Sequence, residues 1–271
     1  MIGQSQPVII ENISGTNGSI GVGRVARAAP DGYTLVVGVW NTHVANGALY
    51  PLPYDVLTDF EPVSLLVNTP YMIVAKKAVP ANDLQGFITW LRANPDKATE
   101  ATNGLGSMQH VGGLLFQNIT GTRFGFVPYR SSSQAMGDLV PGRIDWSLVV
   151  PTDAVPQLRS ENIKVYAAAA RSRLAVAPEI PTVDEAGLPG FYLSNWSGFR
   201  VPKNTRNEII ATLNAAIVEA LADPAVKQRL ADLGQDPFPR EQLTPSAPFA
   251  WQKAEIDKWW PIIKATGIKG E

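Results

Sequence analysis

The sequence predicts an α/β fold in which largely parallel sheets are covered by helices. Short apolar, β-branched runs recur along most of the chain, and helical periodicity appears between several of them. These runs are nearly continuous in apolar residues, which is typical of strands covered on both faces. Strands that alternate with helices indicate a parallel sheet. The expected strands are Val8–Glu11, Tyr33–Val39, Glu61–Leu66, Tyr71–Lys76, Phe124–Tyr129, Asp145–Val150, Ile163–Ala170 and Trp196–Val201.

Three helical patterns lie between these strands. The clearest runs over Asp83–Asn94, where apolar residues recur on one face. Shorter helices are expected over His110–Ile119 and Ser132–Val140, and Pro141-Gly142 closes the second of them. Helices placed between strands in this way are the crossover connections that a parallel sheet needs.

The last quarter of the chain carries helical patterns only. Thr205-Arg-Asn-Glu208 has the form of a capping box at the start of a helix. Asp223-Pro224 opens a second helix, and Thr244-Pro245 opens a third. We expect the three helices to pack on the part of the protein that contains Tyr33–Val39.

Composition excludes several functional classes. Of the 271 residues, 45% are apolar and 17% are charged, which is typical of a globular chain. Lys and Arg number 23 against 24 Asp and Glu, so the basic surplus of a nucleic-acid-binding domain is missing. The chain has no cysteine and two histidines, which excludes disulfides, thiol nucleophiles and multi-histidine metal sites. We therefore expect no metal, no cofactor and no nucleic-acid partner.

A glycine-rich segment, Gly15–Ala26, follows the first expected strand and opens a helix. Within it, Gly21–Ala26 matches the dinucleotide-binding pattern G-x-G-x-x-A. A dinucleotide fold would also place an acidic residue at the end of the next strand. That strand ends instead in Gly38-Val-Trp-Asn41. We therefore favour a turn that packs a helix closely against a strand.

Ser107 allows three interpretations. His110 follows it by three residues, as a nucleophile and base on one helix face would, but catalytic pairs normally converge from separate loops. Ser107 could simply cap a helix. The loop Asn103–Ser107 could also present backbone N–H groups and a hydroxyl to an anion at a helix start. The sequence favours the last two interpretations over the first.

Polar side chains follow several expected strands. They are Asn41-Thr42-His43, Tyr129-Arg130, Asp153 and Asn195. Ligands of open α/β sheets bind at the carboxyl ends of strands, although each group could equally be a solvated loop residue. Together they are hydroxyl- and amide-rich with few charges, which suits the capture of a small anion better than acid–base chemistry.

Segments spread along the whole chain resemble the substrate-binding proteins of tripartite tricarboxylate transporters, also called Bug-type extracytoplasmic solute receptors. The strings Ala28-Ala-Pro-Asp-Gly-Tyr-Thr-Leu and Pro181-Thr-Val-Asp-Glu-Ala-Gly-Leu-Pro-Gly190 are specific when they occur together. The resembling segments are Val8–Gly15, Ala28–Gly38, Leu52–Asp55, Asp59–Ser64, Val127–Arg130, Ile180–Gly190 and Asp223–Gly234.

The resemblance implies a two-lobed, hinged fold like that of type II periplasmic binding proteins. Lobe one would comprise residues 1–75 and 193–271, and lobe two residues 76–192, with a ligand cleft between them. The chain would cross between lobes near Tyr71–Ala78 and Asn195–Val201.

The resemblance also implies a function without catalytic residues. The protein would bind a small carboxylate, such as a di- or tricarboxylate or an aromatic acid, in the periplasm and deliver it to the membrane permease subunits of the transporter. An α/β enzyme acting on a small organic acid is the alternative. Loop amides and hydroxyls would hold the ligand, and the residues that match are Asn41, Thr42, Asn103, Gly104, Gly106, Ser107, Tyr129, Arg130, Thr152 and Asp153.

One departure from the family concerns the start of the chain. Family members begin with a signal peptide, a strand, a loop with adjacent glycines and a helix. This sequence opens at the second family strand, Pro7–Glu11, and shows no export signal before it. If the chain truly starts there, we expect Val8–Glu11 and Tyr33–Val37 to lack a neighbouring strand, and the protein to be less stable or to self-associate.

Overall fold

Two separate sheets organise the computed structural model, which describes residues 7–265 and 267–268. The strands are β1 (Val36–Val39), β2 (Phe60–Pro70), β3 (Met72–Lys76), β4 (Thr99–Thr102), β5 (Gly125–Pro128), β6 (Trp146–Val149), β7 (Ile163–Ala168), β8 (Ser194–Pro202) and β9 (Asp236–Pro237). The helices are α1 (Ser19–Ala26), α2 (Asn46–Leu49), α3 (Leu84–Ala93), α4 (Met108–Thr120), α5 (Ser132–Leu139), α6 (Pro151–Arg159), α7 (Asn207–Ala222), α8 (Pro224–Asp232) and α9 (Ala247–Ala265).

The chain divides into two units. The first holds the described residues up to Asn68, Trp196–Leu230 and those from Asp236 onward, and the second holds Thr69–Asn195 and Ala231–Gln235. The stretch 69–75, which the sequence analysis assigned to lobe one, therefore lies in the second unit. Residues 193–195 and 231–235, also assigned to lobe one, lie there as well.

The first unit is built on a four-stranded sheet with the order β1-β8-β2-β9. Strand β1 pairs with β8, and β2 with β9, both antiparallel. On one face, Ile210 and Leu213 of α7 pack against Val63 and Val201 of the sheet. This contact removes apolar side chains from water on both elements, and each fully buried aliphatic chain contributes about 1.5–3 kcal/mol.

Helix α9 packs on the same unit through aromatic and amide contacts. The rings of Trp40 and Trp259 meet edge to face at 5.5 Å. The Gln252 side chain donates to the carbonyl oxygens of His43 (2.6 Å) and Val56 (2.9 Å). The expectation that the C-terminal helices pack on the part containing Tyr33–Val39 is confirmed for α7 and α9.

The capping predictions in this region had mixed outcomes. Asp223 caps α8, because its Oδ1 accepts from the N–H groups of Ala225 (2.8 Å) and Val226 (3.1 Å). The capping box at Thr205 is wrong, since the hydroxyl of Thr205 donates to Pro202 O (2.7 Å) and α7 begins at Asn207.

Val8–Glu11 was expected as a strand and forms none. Val8, Ile9 and Ile10 are 75, 78 and 82% exposed. A β-branched run has high strand propensity, but it needs a paired neighbour to bury its side chains. These residues form no regular secondary structure.

The second unit contains a five-stranded sheet with the order β5-β4-β6-β3-β7. Strand β4 runs parallel to β5 and β6, whereas β3 runs antiparallel to β6 and β7. The expectation of largely parallel sheets therefore holds for the adjacent strands β5, β4 and β6. It is wrong for the pairs that β3 forms with β6 and β7, and for the pairs β1–β8 and β2–β9 of the first unit. Strand β3 precedes the β4–β6 repeat in the chain and is not part of it.

A cluster of aromatic rings fills one side of the second sheet. Phe87, Phe116 and Phe124 each lie within 6 Å of the ring of Trp146, at 5.6, 5.2 and 4.9 Å between centroids. Phe87 also stacks on Tyr166 at 4.8 Å. Such pairs add about 0.5–1.5 kcal/mol beyond area burial and hold β6 firmly against α3 and α4.

Among the described residues, no single helix has the length and apolar character needed to cross a membrane. Helices α7 and α8 reach that threshold only as a pair, bent by 71° at the break between them.

Candidate functional site

Three helices of the second unit begin at one edge of its sheet. The parallel register, with Thr102 opposite Pro128 and Ala101 opposite Ser147, places the carboxyl ends of β4, β5 and β6 side by side. Each of these strands is followed directly by a helix, α4, α5 and α6 respectively. A helix start exposes backbone N–H groups and the positive end of the helix dipole, so this edge carries three converging positive ends.

The loop before α4 is the best-defined part of this edge. Ser107 caps the helix, because its Oγ accepts from His110 N at 3.3 Å and donates to Gly104 O at 2.8 Å. Gly104 and Gly106 have φ of +92° and +75°, a conformation that favours glycine. The capping interpretation of Ser107 is confirmed. The Nδ1 atom of His110 accepts from Gly106 N at 3.2 Å, so this ring nitrogen serves the loop backbone.

Several predicted ligand donors already have partners. The N–H of Gly104 donates to Thr102 Oγ1 at 3.4 Å, and that of Gly106 to His110. The side-chain amide of Asn103 donates to Ser132 Oγ at 3.2 Å. These bonds hold the loop in shape. Because Ser107 Oγ also accepts from the N–H of His110, the N–H groups of Met108 and Gln109 are the remaining candidate donors to an anion in the first turn of α4.

Tyr129 and Arg130 lead from β5 into α5, and the structure separates their roles. The Tyr129 hydroxyl donates to Asp138 at 2.9 Å, and burial together with the Asp138 carboxylate raises the pKa of this phenol. Arg130 is exposed and forms no ion pair with the described residues. Ser131, which sequence reasoning missed, caps α5 by accepting from Gln134 N at 3.3 Å. Arg130 is therefore the cation available at this edge.

Thr152 and Asp153 were expected in a loop, and the structure places them in the first turn of α6. Pro151 occupies the first helical position, where its missing N–H costs nothing. Asp153 is partly buried, and this burial raises the pKa of its carboxyl. Asn195, also expected at a strand end, lies instead at the beginning of β8.

The first unit holds the remaining predicted residues, Asn41 and Thr42. They form the start of a π-helical turn, Asn41–Ala45, that leads into α2, and not a loop. The Asn41 amide donates to Asn17 Oδ1 at 3.3 Å, and Asn17 in turn donates to Asn46 Oδ1 at 2.9 Å. The Thr42 hydroxyl is buried and bonds Val39 O at 3.2 Å.

These contacts make Asn41 and Thr42 structural supports for the loop that precedes α1. Asn17 and Gly18 in that loop have φ of +51° and +87°. A Cβ at Gly18 would lie 2.8 Å from Thr42 Cγ2, so the glycine is needed for this close approach. The prediction of a packing turn at Gly15–Ala26 agrees with this geometry. A ligand-binding role for Asn41 and Thr42 stays a prediction.

The hydrogen bond from Gly106 to His110 should make the stability of the loop before α4 depend on pH. Burial lowers the pKa of His110 below its ordinary 6.5, so the ring is neutral in the fold and its Nδ1 can accept from Gly106. As pH falls below 6.5, His110 is protonated in the unfolded chain before it is protonated in the folded protein. The free energy of unfolding therefore decreases progressively. We expect protection of the Gly106 amide against hydrogen exchange to fall in this range as His110 protonates.

The matched variant for this prediction is His110→Asn, whose Oδ1 can replace Nδ1 as an acceptor without titrating. Its Gly106 protection should stay constant between pH 7.5 and pH 5. An equal loss of protection in both proteins would contradict the assignment, because His43 is the other histidine and remains in both.

No group of three histidine, aspartate or glutamate side chains in the described part of the chain is arranged to hold a metal ion. Trp259 is buried against Trp40, and the Trp260 indole donates to Val44 O at 2.9 Å. Both serve packing. The site is therefore defined by helix starts, hydroxyls and Arg130.

A sheet edge of this kind in a chain with two α/β units is typical of a solute-binding receptor. Solved structures of similar proteins support this class. MatC (Rpa3494) from Rhodopseudomonas palustris, solved with bound malate, is 38% identical with a TM-score of 0.83, covering 95% of this chain and 88% of that one. Rpa4515 from R. palustris, solved with adipate, is 29% identical with a TM-score of 0.86, covering 98% and 88%.

Proteins of similar sequence support the same class. BugT of Bordetella pertussis (strain Tohama I) is 34% identical over 266 residues, which is 97% of this chain and 81% of that protein. A protein from the TAR-I ttuE-ttuC' intergenic region of Agrobacterium vitis is 36% identical over 264 residues, or 97% and 76%. Residues 3–268 match the family described as tripartite tricarboxylate transporter family receptor. The chain belongs to this family, as the resemblance predicted.

Proposed function

We propose that the protein is a non-enzymatic receptor that binds a small carboxylate at the helix-start edge of the second sheet. The observation that carries this proposal is the convergence of α4, α5 and α6 on three parallel strands, with Arg130 unpaired among the described residues. Preformed N–H donors and helix dipoles stabilise an anion without a paired arginine clamp. The malate and adipate bound by the two similar structures are small dicarboxylates, which supports the same ligand class here.

The family supports the remaining parts of the proposal. Receptors of this family serve tripartite transporters, so we infer that the permease subunits of such a transporter take the ligand from this protein. We infer that the protein acts in the periplasm, and the similar periplasmic binding protein BugD supports this location.

Calorimetry with malate, succinate and adipate tests the proposal. We expect at least one of them to bind with a stoichiometry of one. A ligand at 100 times its Kd should also raise the free energy of unfolding by about 2.7 kcal/mol. Absence of binding by all three and by citrate, with the chain folded, would contradict a di- or tricarboxylate receptor.

Ser107→Asp tests the helix start of α4. Aspartate caps a helix as well as serine does, so α4 should be preserved, although the bond that the Ser107 hydroxyl donates to Gly104 O is lost. Its charge would repel a bound carboxylate, and we expect Kd to rise by about tenfold or more, which is about 1.4 kcal/mol. Isothermal titration calorimetry at low salt measures the change.

Ser107→Asn is the matched control. It keeps the cap without the charge and should leave Kd within about threefold of the parent value. Equal affinities for the aspartate and asparagine variants would show that the ligand lies away from α4.

A further inference from the structure

Asp153 needs an explanation within an anion site. It lies in the first turn of α6, beside the other two helix starts. An acid there stabilises its own helix, but it also repels an anionic ligand. No described residue donates a hydrogen bond to its carboxylate, and the side chain is partly buried. A partly desolvated carboxylate without a donor is costly unless something else supplies one.

Tyr71 brings a second polar group to the same place. It directly precedes β3, and the antiparallel register of Met72 opposite Val149 sets it beside Val150, the residue that caps α6. Its backbone is fixed by bonds from Tyr71 N to Leu193 O (3.0 Å) and from Ala169 N to Tyr71 O (2.7 Å).

Tyr71 is only 6% exposed, and its hydroxyl, which keeps some contact with solvent, forms no hydrogen bond with the described residues. The charge of Asp153 adds to burial in raising the pKa of this phenol, which agrees with the placement of Tyr71 beside the start of α6 by the strand register. A hydroxyl that is unpaired within the protein and still reachable from solvent is available to a ligand at this edge.

We propose that Asp153 and Tyr71 form a subsite for a hydroxyl group on the carbon chain of the ligand, so that the receptor prefers hydroxylated dicarboxylates. This inference rests on the carboxylate-binding function proposed above. The ligand hydroxyl donates to the Asp153 carboxylate, and the Tyr71 phenol donates to the oxygen of that hydroxyl. Both polar groups, which lack partners in the protein, are thereby satisfied.

The same geometry discriminates against an unsubstituted ligand. A methylene group offers neither a donor nor an acceptor. A ligand with a methylene at this position would leave Asp153 and Tyr71 unpaired, and the Asp153 carboxylate would repel its carboxylates as well. Sites built to hydrogen-bond a substrate hydroxyl reject analogues that lack it strongly, because buried polar groups are then left without partners.

Calorimetry with malate and succinate, which differ by one hydroxyl, tests the inference. The parent protein should bind malate at least tenfold more tightly than succinate. In Asp153→Ala, malate affinity should fall about tenfold while succinate affinity stays equal or improves, bringing the two Kd values within about threefold. Tyr71→Phe should reduce the malate preference in part and leave succinate unchanged.

Glu179→Ala is the control, because it removes one exposed negative charge from the same unit without touching the edge. Its malate preference should equal that of the parent protein. Retained succinate binding by Asp153→Ala shows that this variant is folded.

Two results would overturn the inference while leaving the proposed function in place. One is a parent protein that binds both acids with equal affinity or prefers succinate. The other is an Asp153→Ala variant that keeps the full malate preference. If the folded parent protein binds neither malate nor succinate, the inference is overturned. If it also fails to bind adipate and citrate, the proposed function is contradicted too.

Discussion

Replacing Glu100 with glutamine should make the protein more stable at neutral pH, by an amount that grows as pH rises. Glu100 lies on β4, fully buried between Phe126 of β5 and Trp146 of β6. Neither carboxyl oxygen has a hydrogen-bond partner in the described residues, and a Cβ at Gly113 of α4 would collide with it. Burial raises the pKa of Glu100 well above its ordinary 4.5.

The sign of the effect follows from linkage. Above pH 4.5 the unfolded chain loses the Glu100 proton while the fold keeps it, so stability is full below that pH and declines as pH rises. Each pH unit costs about 1.4 kcal/mol until the folded group ionises. Glutamine has no proton to lose, so the advantage of Glu100→Gln over the parent protein should widen as pH rises above 4.5.

Urea denaturation at pH 5, 6.5 and 8 measures this gap. Glu161→Gln, at an exposed position, is the control and should run parallel to the parent protein. A Glu100→Gln profile that is also parallel would show that Glu100 has the same pKa in the folded and unfolded chains.

Arg200→Met should also stabilise the protein, by about 2–4 kcal/mol. Arg200 lies on β8 opposite Val36 of β1 and is 2% exposed. Its Nε and Nη2 atoms have no acceptor among the described residues, and desolvation lowers its pKa to about 10. A buried charge without a partner is among the most costly groups in a fold, whereas methionine fills the same volume without charge.

His43 provides a second readout of this change. Its ring is fully buried, and after burial itself the charge of Arg200 is the further cause that lowers its pKa. The His43 pKa, followed by NMR, should therefore rise in Arg200→Met. Arg206→Met, at an exposed position, should change neither quantity. Destabilisation by Arg200→Met would mean that a bound solute or ordered water satisfies the guanidinium.

Glu100 also shows why one part of the site was missed in the sequence. Strand β4 reads Thr99-Glu-Ala-Thr102, a polar string with no apolar run, yet it is the middle strand of the parallel trio. Its neighbours β5 and β6 were found because their apolar residues are continuous. Tertiary context buries β4 against its own propensity, and no local pattern reports this.

Val8–Glu11 shows the opposite error. The run Val8-Ile-Ile10 has the local character of a strand, but a strand also needs a partner ladder, which sequence periodicity does not supply. The strand-end rule was more useful, because it depends on chain order alone. It selected Arg130 and Asp153, which the structure places at one sheet edge, whereas Asn41 and Thr42, also selected, lie in the first unit.

The position of a residue in the chain does not show whether its donor groups are free for a ligand, because that depends on hydrogen bonds formed in the fold. Gly104, Gly106 and Asn103 were expected to face a ligand, but their donors serve Thr102, His110 and Ser132. Tyr71 escaped notice because it precedes its strand, and only the antiparallel register of β3 brings it to the edge. Such pairings depend on long-range geometry that the local sequence does not encode.

The convergence of three helix starts on one sheet edge also bears on how such a receptor evolves. Backbone N–H groups are present whatever the side chains are, so any variant that keeps the fold inherits a general capacity for anions. If the ligand binds at this edge as proposed, preference among anions depends instead on a few side chains there. New ligand preferences can therefore arise by single substitutions there, through functional intermediates, while the core that maintains the fold stays under separate selection.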